Sequence, residues 1–172
     1  MELNIDKDLL MKIEKKFYVP PEHFKLCTKK FDCFEKNKWI TCEKCKYKSY
    51  SKKNISVLGY NIFGALKYDA NPYNVSKRIK ALEIELKNND ADIIVLHEVS
   101  KKILAKLMKL DWVRKDYYIS ECDMERINVL YGIGSVILSK IPFFDYKTYV
   151  LPGYDMYSLS FGIFIINDKK VI

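Results

Sequence analysis

Ile55-Ser56-Val57-Leu58-Gly59-Tyr60-Asn61 and Asp92-Ile93-Ile94-Val95-Leu96-His97-Glu98 are two short apolar runs, each delivering a polar residue at its carboxyl end. Between them Val75, Ile79, Leu82 and Leu86 recur at helical spacing behind Asn74, a residue type favoured at helix N-caps. The order strand, loop, helix, strand predicts an α/β fold, with the amide of Asn61 and the carboxylate of Glu98 side by side at one rim of a sheet. Oxygen donors so placed suit a hard divalent cation that keeps several of its waters, and such a cation can activate a phosphate ester. On patterning alone, polar caps at strand ends are the better account of the pair.

The rest of the chain extends this pattern in both directions. Leu9, Leu10, Ile13 and Phe17 predict a short amphipathic helix within residues 1–18, stopped by Pro20-Pro21. Residues 22–54 are polar, Lys-rich and dotted with aromatics, and are expected to be an irregular segment packed on the main domain. A loop over 63–74 carries the turn signal Asn71-Pro72. The second run is nearly all apolar, as in a central strand covered on both faces. Downstream, a second helix is expected over 100–109, a short strand at 117–120, and strands at 134–139, 146–151 and 157–166. Asn167-Asp168-Lys169-Lys170 then reads as a hairpin turn into a returning strand at Val171-Ile172.

With 172 residues, the chain is expected to form one main domain, residues 55–172, behind a basic extension, residues 1–54. Hydrophobic residues are 49% and charged residues 30%, enough for a sizeable core. No apolar run has the roughly 18 residues of a membrane span, and the N-terminus lacks the pattern of a secretory signal. An intracellular protein, cytoplasmic or nuclear and without a membrane partner, is expected. The net charge of +8 is uneven: residues 1–54 hold 14 Lys against 8 acids, a surplus of six. Such a front end suits a polyanion such as nucleic acid, although a Lys-rich solvated surface fits as well.

The five cysteines are Cys27, Cys33, Cys42, Cys45 and Cys122. An odd number without a secretory signal argues against a disulfide framework. Cys42 and Cys45 have zinc-knuckle spacing; Cys27 and Cys33 make a poorer second half, for which His23 could substitute one ligand. Reduced thiols are the favoured account, with Zn2+ the alternative, and Cys122 is read as a lone structural thiol. Trp39, Tyr47 and Tyr50 among lysines could stack the bases of a single strand; anchoring of this segment on the domain is the favoured reading.

In this order the pieces resemble the endonuclease/exonuclease/phosphatase superfamily, and within it the tyrosyl-DNA phosphodiesterase type 2 branch. Val57-Leu58-Gly59-Tyr60-Asn61-Ile62 is similar to the family's first strand, which ends in Trp-Asn or Tyr-Asn. Asp90-Ala91-Asp92-Ile93-Ile94-Val95-Leu96-His97-Glu98-Val99 is similar to its Asp-Ile-Ile-x-Leu-Gln-Glu-Val strand. Gly132-Ile133-Gly134-Ser135-Val136-Ile137-Leu138-Ser139-Lys140-Ile141-Pro142 is similar to its Ile-Leu-Ser-Lys-x-Pro segment, and Arg78 stands where the family often has an arginine. The resemblance implies a DNase I-like β-sandwich flanked by helices and a Mg2+ or Mn2+ ion held by Glu98. It gives Asn61 the role of orienting the metal water or contacting the phosphate. His97 replaces the family's Gln and is read as structural, since it should face away from its neighbours along the strand.

The family continues with a Thr-His-Leu segment, a Gly-Asp-x-Asn loop and a Ser-Asp-His end, which supply the water-activating Asp and a transition-state His. None occurs here, so the chain resembles the N-terminal half of the domain. Glu98 and Asn61 without base or oxyanion partner predict inactivity alone. Half a sandwich also leaves open edges. A second polypeptide completing it, a truncated reading frame or a reshaped half domain are the expectations that follow. The functional expectation is a metal-dependent phosphodiester hydrolase-like domain for DNA or a protein–DNA adduct. The alternative is a non-catalytic nucleic-acid-binding module using the basic, cysteine-containing front.

Overall fold

The computed structural model describes residues 25–29, 32–35, 38–41, 50–64, 75–120, 133–150 and 158–172. The expected helix within 1–18, Cys42, Cys45, Cys122 and the Asn71-Pro72 turn lie outside them. In chain order the elements are β1 (Lys25–Lys29), β2 (Asp32–Glu35), β3 (Lys38–Thr41), β4 (Val57–Asn61), α1 (Val75–Asn89), β5 (Ile93–Ser100), α2 (Lys101–Leu107) and α3 (Asp111–Asp116). β6 (Tyr118–Ile119), β7 (Ile133–Ser139), β8 (Asp145–Val150), β9 (Ser158–Ile166) and β10 (Lys169–Val171) follow. The fold is mixed α/β, with one sheet ordered β3-β2-β6-β7-β5-β4 and another ordered β1-β8-β9-β10.

β4 and β5 pair in parallel, Val57 opposite Ile93 through Asn61 opposite His97, with α1 as the crossover between them. β7 pairs antiparallel on the other side of β5. The side-chain alternation of β5 and β7 then divides the core in two. Ile94, Leu96, Val136 and Leu138 turn to the helices and meet Leu86 of α1, Ile103, Leu104 and Leu107 of α2, and Val113 of α3. Ile93 and Ile137 turn the other way and meet Tyr146 of β8 with Phe164 and Ile166 of β9. The layers are therefore helices, sheet, sheet, and β5 is covered on both faces as its composition requires. Each fully buried Ile or Leu contributes about 2 kcal/mol of transfer free energy.

β10 returns from β9 through Asn167 and Asp168, both with positive φ (48° and 59°), the backbone of a two-residue hairpin turn that Asn and Asp tolerate.

One expectation is corrected. The segment 22–54 is not irregular where it is described: β2 and β3 form a hairpin that extends the six-stranded sheet through β6, and β1 pairs with β8 in the other sheet. Trp39 packs on the helix-side core and donates its Nε1–H to Met108 O at 3.0 Å, and Arg114 stands over the Phe34 ring at 4.8 Å. Tyr50 bridges to Ile166 and packs between the sheets. Trp39 and Tyr50 thus anchor this segment. A second departure is α3, a short helix behind Leu110 where no helix is expected.

The amino end of β5 is clamped by Asp92. Its carboxylate, 2% exposed, accepts from Lys52 Nζ at 2.7 and 2.8 Å and from the Ser56 backbone N–H at 2.9 Å and hydroxyl at 2.8 Å. Burial would push its pKa up, but the Lys52 ammonium and the two Ser56 donors win and bring it down to about 2. Asn167 Nδ2 donates to Lys52 O at 3.1 Å, which ties the β9–β10 turn to the same point. Nearby, burial pushes the Tyr117 phenol up, and its hydroxyl donates to Ala91 O at 2.7 Å. No helix among the described residues is long and apolar enough to cross a membrane.

Candidate functional site

The carboxyl end of β5 is built differently. The β5–β7 register shifts between Leu96 and Val99, so His97 and Glu98 together oppose the single residue Ser135. This is a β-bulge, which breaks strict alternation and re-aims a side chain. Glu98 carries it in the left-handed region, with φ of 58°. A non-glycine residue there costs on the order of 1–3 kcal/mol and persists only where its surroundings fix it.

Three contacts fix it. Asn61 Nδ2 donates to Glu98 Oε1 at 2.9 Å. The Ile62 N–H donates to His97 O at 3.1 Å. Gly64 lies so close that a Cβ there would collide with the Glu98 carbonyl oxygen, so this position needs glycine for close approach. The Asn61–Gly64 turn is itself tied down. The Phe63 N–H donates to Asn61 Oδ1 at 2.9 Å, and Phe63 has φ of 47°. Arg78 of α1 donates to Ile62 O at 2.9 Å and Phe63 O at 3.2 Å, with its guanidinium 5.8 Å from the Phe63 ring centroid.

Asn61 therefore has both ends of its amide occupied: oxygen by a backbone N–H, nitrogen by Glu98. Reversing the amide would lose both bonds, which settles its orientation. Asn61 is thus a group that holds Glu98 in place. The half-buried Glu98 carboxylate has no other hydrogen-bond partner than Asn61 among the described residues, which leaves Oε2 as a donor atom. One carboxylate oxygen beside solvent fits Mg2+ or Mn2+, which bind through one or two carboxylates, waters and substrate phosphate oxygens. No group of three His, Cys, Asp or Glu able to hold a metal occurs among the described residues.

His97 is the register partner of Asn61 and the exposed position of an otherwise covered strand. Its Nδ1 is 3.1 Å from Ser135 Oγ. Of the cysteine set, Cys27 lies on β1 and Cys33 on β2, in two different sheets; Cys42 and Cys45 lie outside the described residues. Beside the rim, an apolar cleft of about 540 Å3 opens between α1 and β4, lined by Leu58, Tyr60, Ile79, Leu82 and Leu86, with Phe63 and Arg78 between cleft and rim.

The motif reading singled out Asn61, Glu98 and Arg78; Asn61 and Glu98 meet, and Arg78 binds the turn that follows Asn61. Gly64 and Ser135 were missed as parts of the site. Only the glycine following Asn61-Ile62-Phe63 could have signalled the close approach.

No protein-family model matches the chain, and no curated protein sequence matches it. Among solved structures it is similar to a crystal structure of humanized D. rerio TDP2 carrying 14 mutations. The TM-score is 0.53 and the identity 19%, over 67% of this chain and 46% of that one. The likeness is one of fold, and the chain spans under half of that structure's length.

Proposed function

We propose that the chain is a metal-dependent phosphodiester hydrolase-like domain of the endonuclease/exonuclease/phosphatase type, corresponding to the front half of a DNase I-like sandwich and acting on DNA or a protein–DNA adduct. The observation that carries the reading is the strained bulge that presents Glu98 to Asn61 at the rim of the sheet. The fold likeness to TDP2 supports it. In this reading Glu98 Oε2 holds Mg2+ or Mn2+, and Asn61, Gly64 and Arg78 keep the carboxylate in place. The ion supplies polarisation of the phosphate ester. In this reading the base and the oxyanion donor come from outside these residues, and the domain works inside the cell, in cytoplasm or nucleus.

The test is a calorimetric titration of residues 1–172 with Mn2+, beside Glu98→Gln. The expected result is a loss of more than about tenfold in affinity in the variant. Equal affinity sinks the reading. Hydrolysis of a 5′-tyrosyl oligonucleotide and of single-stranded DNA is followed in the same samples. Turnover by residues 1–172, lost in Glu98→Gln, would place the base and the oxyanion donor within them.

The charge distribution favours a second reading, a non-catalytic nucleic-acid-binding module that uses the surplus of six positive charges in residues 1–54. Zn2+ on Cys27, Cys33, Cys42 and Cys45 would belong to it. Salt-sensitive DNA affinity that survives Glu98→Gln, together with bound zinc, would select this reading.

A further inference from the structure

We propose that His97 is a phosphate-contacting residue of the Glu98 site, its Nε2–H donating to a non-bridging oxygen of a nucleic-acid phosphodiester; the proposal rests on the metal reading of Glu98.

Three observations carry it. The first is exposure. The other residues of β5 are buried or half-buried, whereas His97 is open to solvent. An imidazole kept for packing on such a strand would be covered. The second is register. His97 is the Cα partner of Asn61, and the bulge sets His97 and Glu98 together against Ser135. His97 thus stands directly opposite Asn61 in the pairing and next in sequence to Glu98. The third is the tether. Nδ1 is 3.1 Å from Ser135 Oγ, and Nε2 has no partner among the described residues.

A serine hydroxyl can donate or accept. When it donates to Nδ1, the proton of the neutral ring sits on Nε2, and the tether fixes the ring plane. A fixed N–H donor at a rim that also offers a carboxylate oxygen suits a ligand with an anionic oxygen and a metal-bound oxygen on one centre. A phosphodiester is such a ligand. A carboxylate also offers two oxygens on one centre, and the net charge of +8 is what favours the polyanionic ligand.

The experiment follows the imidazole proton signals by NMR at fixed pH, with Mg2+ present, while the dinucleotide dTpdT is titrated. The chain has two histidines, His23 and His97, so the spectrum of His97→Ala assigns them. Mn2+ affinity is measured in parallel for wild type, His97→Ala, Ser135→Ala and Glu98→Gln. The expected result is a shift of the His97 signals on dinucleotide binding, and dinucleotide affinity about tenfold lower in His97→Ala, as for loss of one hydrogen bond to a charged group. Ser135→Ala, which frees the ring, should fall between wild type and His97→Ala, and neither variant should change Mn2+ affinity.

Unchanged dinucleotide affinity in His97→Ala, with Mn2+ binding lost in Glu98→Gln, overturns the contact and leaves the metal reading standing. Loss of Mn2+ affinity in His97→Ala also overturns it, by making the ring a metal ligand. Unchanged Mn2+ affinity in Glu98→Gln removes the metal reading, and the proposal falls with it.

Discussion

The β5 segment carries a carboxylate at each end, and the two are treated in opposite ways. Asp92, at the amino end, is covered and accepts from one ammonium, one hydroxyl and one backbone N–H, on an unstrained backbone. Glu98, at the carboxyl end, is half-buried, accepts from Asn61 and sits on a left-handed residue. A charge whose hydrogen-bonding capacity is filled by the protein serves the fold. A charge held in a strained position with an oxygen to spare is the feature on which the proposed site rests. Sequence position does not separate them, because both are acids flanking the same apolar run.

The difference is broken most severely at Asp92. Asp92→Ala leaves the Ser56 N–H and hydroxyl facing an apolar methyl and frees Lys52. Destabilisation of about 3 kcal/mol is expected in urea unfolding, the range for removing one partner of a buried charged network. Glu98→Gln, measured alongside, should lie within about 0.5 kcal/mol of wild type, because the side chain is only half-buried and the amide oxygen still accepts from Asn61. Equal losses in the two variants would end the distinction.

Acid sharpens the same point. The carboxyl of Asp92 is held at about 2 in the fold against 3.8 for the free residue. A depressed folded pKa means that the unfolded chain binds more protons between these values, so stability rises with pH there. The contribution, about 2 kcal/mol, is complete above the unfolded pKa and is lost as pH falls through the folded one. Urea midpoints of wild type and Asp92→Asn should therefore converge as pH falls from about 4 to about 2. Parallel curves would mean that Lys52 and Ser56 do not hold the carboxylate in solution.

Much of the frame was legible because it rests on local periodicity. The β4–α1–β5 order, the β7 and β9 strands and the Asn167-Asp168 turn are written in apolar spacing and turn chemistry. That Asn61 and Glu98 lie side by side was legible from the strand order, whereas their roles came only by resemblance. β1, β2 and β3 were not, because their alternation is short and their lysines read as solvent-facing loop. The partners that make them strands, Ile119 of β6 and the β8 residues 146–150, lie far along the chain. The bulge was hidden for a related reason. It is a two-against-one mismatch between β5 and β7, and neither strand announces it in its own sequence. His97 accordingly looked like one more alternating position, whereas its exposure and its bond to Ser135 follow from that mismatch.

The smallest effect is the most discriminating, because it isolates the strain. Glu98→Ala and Glu98→Gly both remove the carboxylate and its bond to Asn61, and both leave the Asn61 amide to water. They differ in one respect: glycine adopts a φ of 58° freely, whereas alanine keeps the Cβ that opposes it. The glycine variant should therefore be the more stable of the two by about 1 kcal/mol, despite the greater freedom glycine gives the unfolded chain. In the middle of an ordinary strand the order would be reversed. Glycine at or above wild-type stability, without Mn2+ affinity, would identify the left-handed turn as a cost the fold carries to present the carboxylate. Alanine above glycine would mean that position 98 relaxes to extended backbone in solution, where alternation would turn its side chain away from His97, and the rim would lose its organising feature.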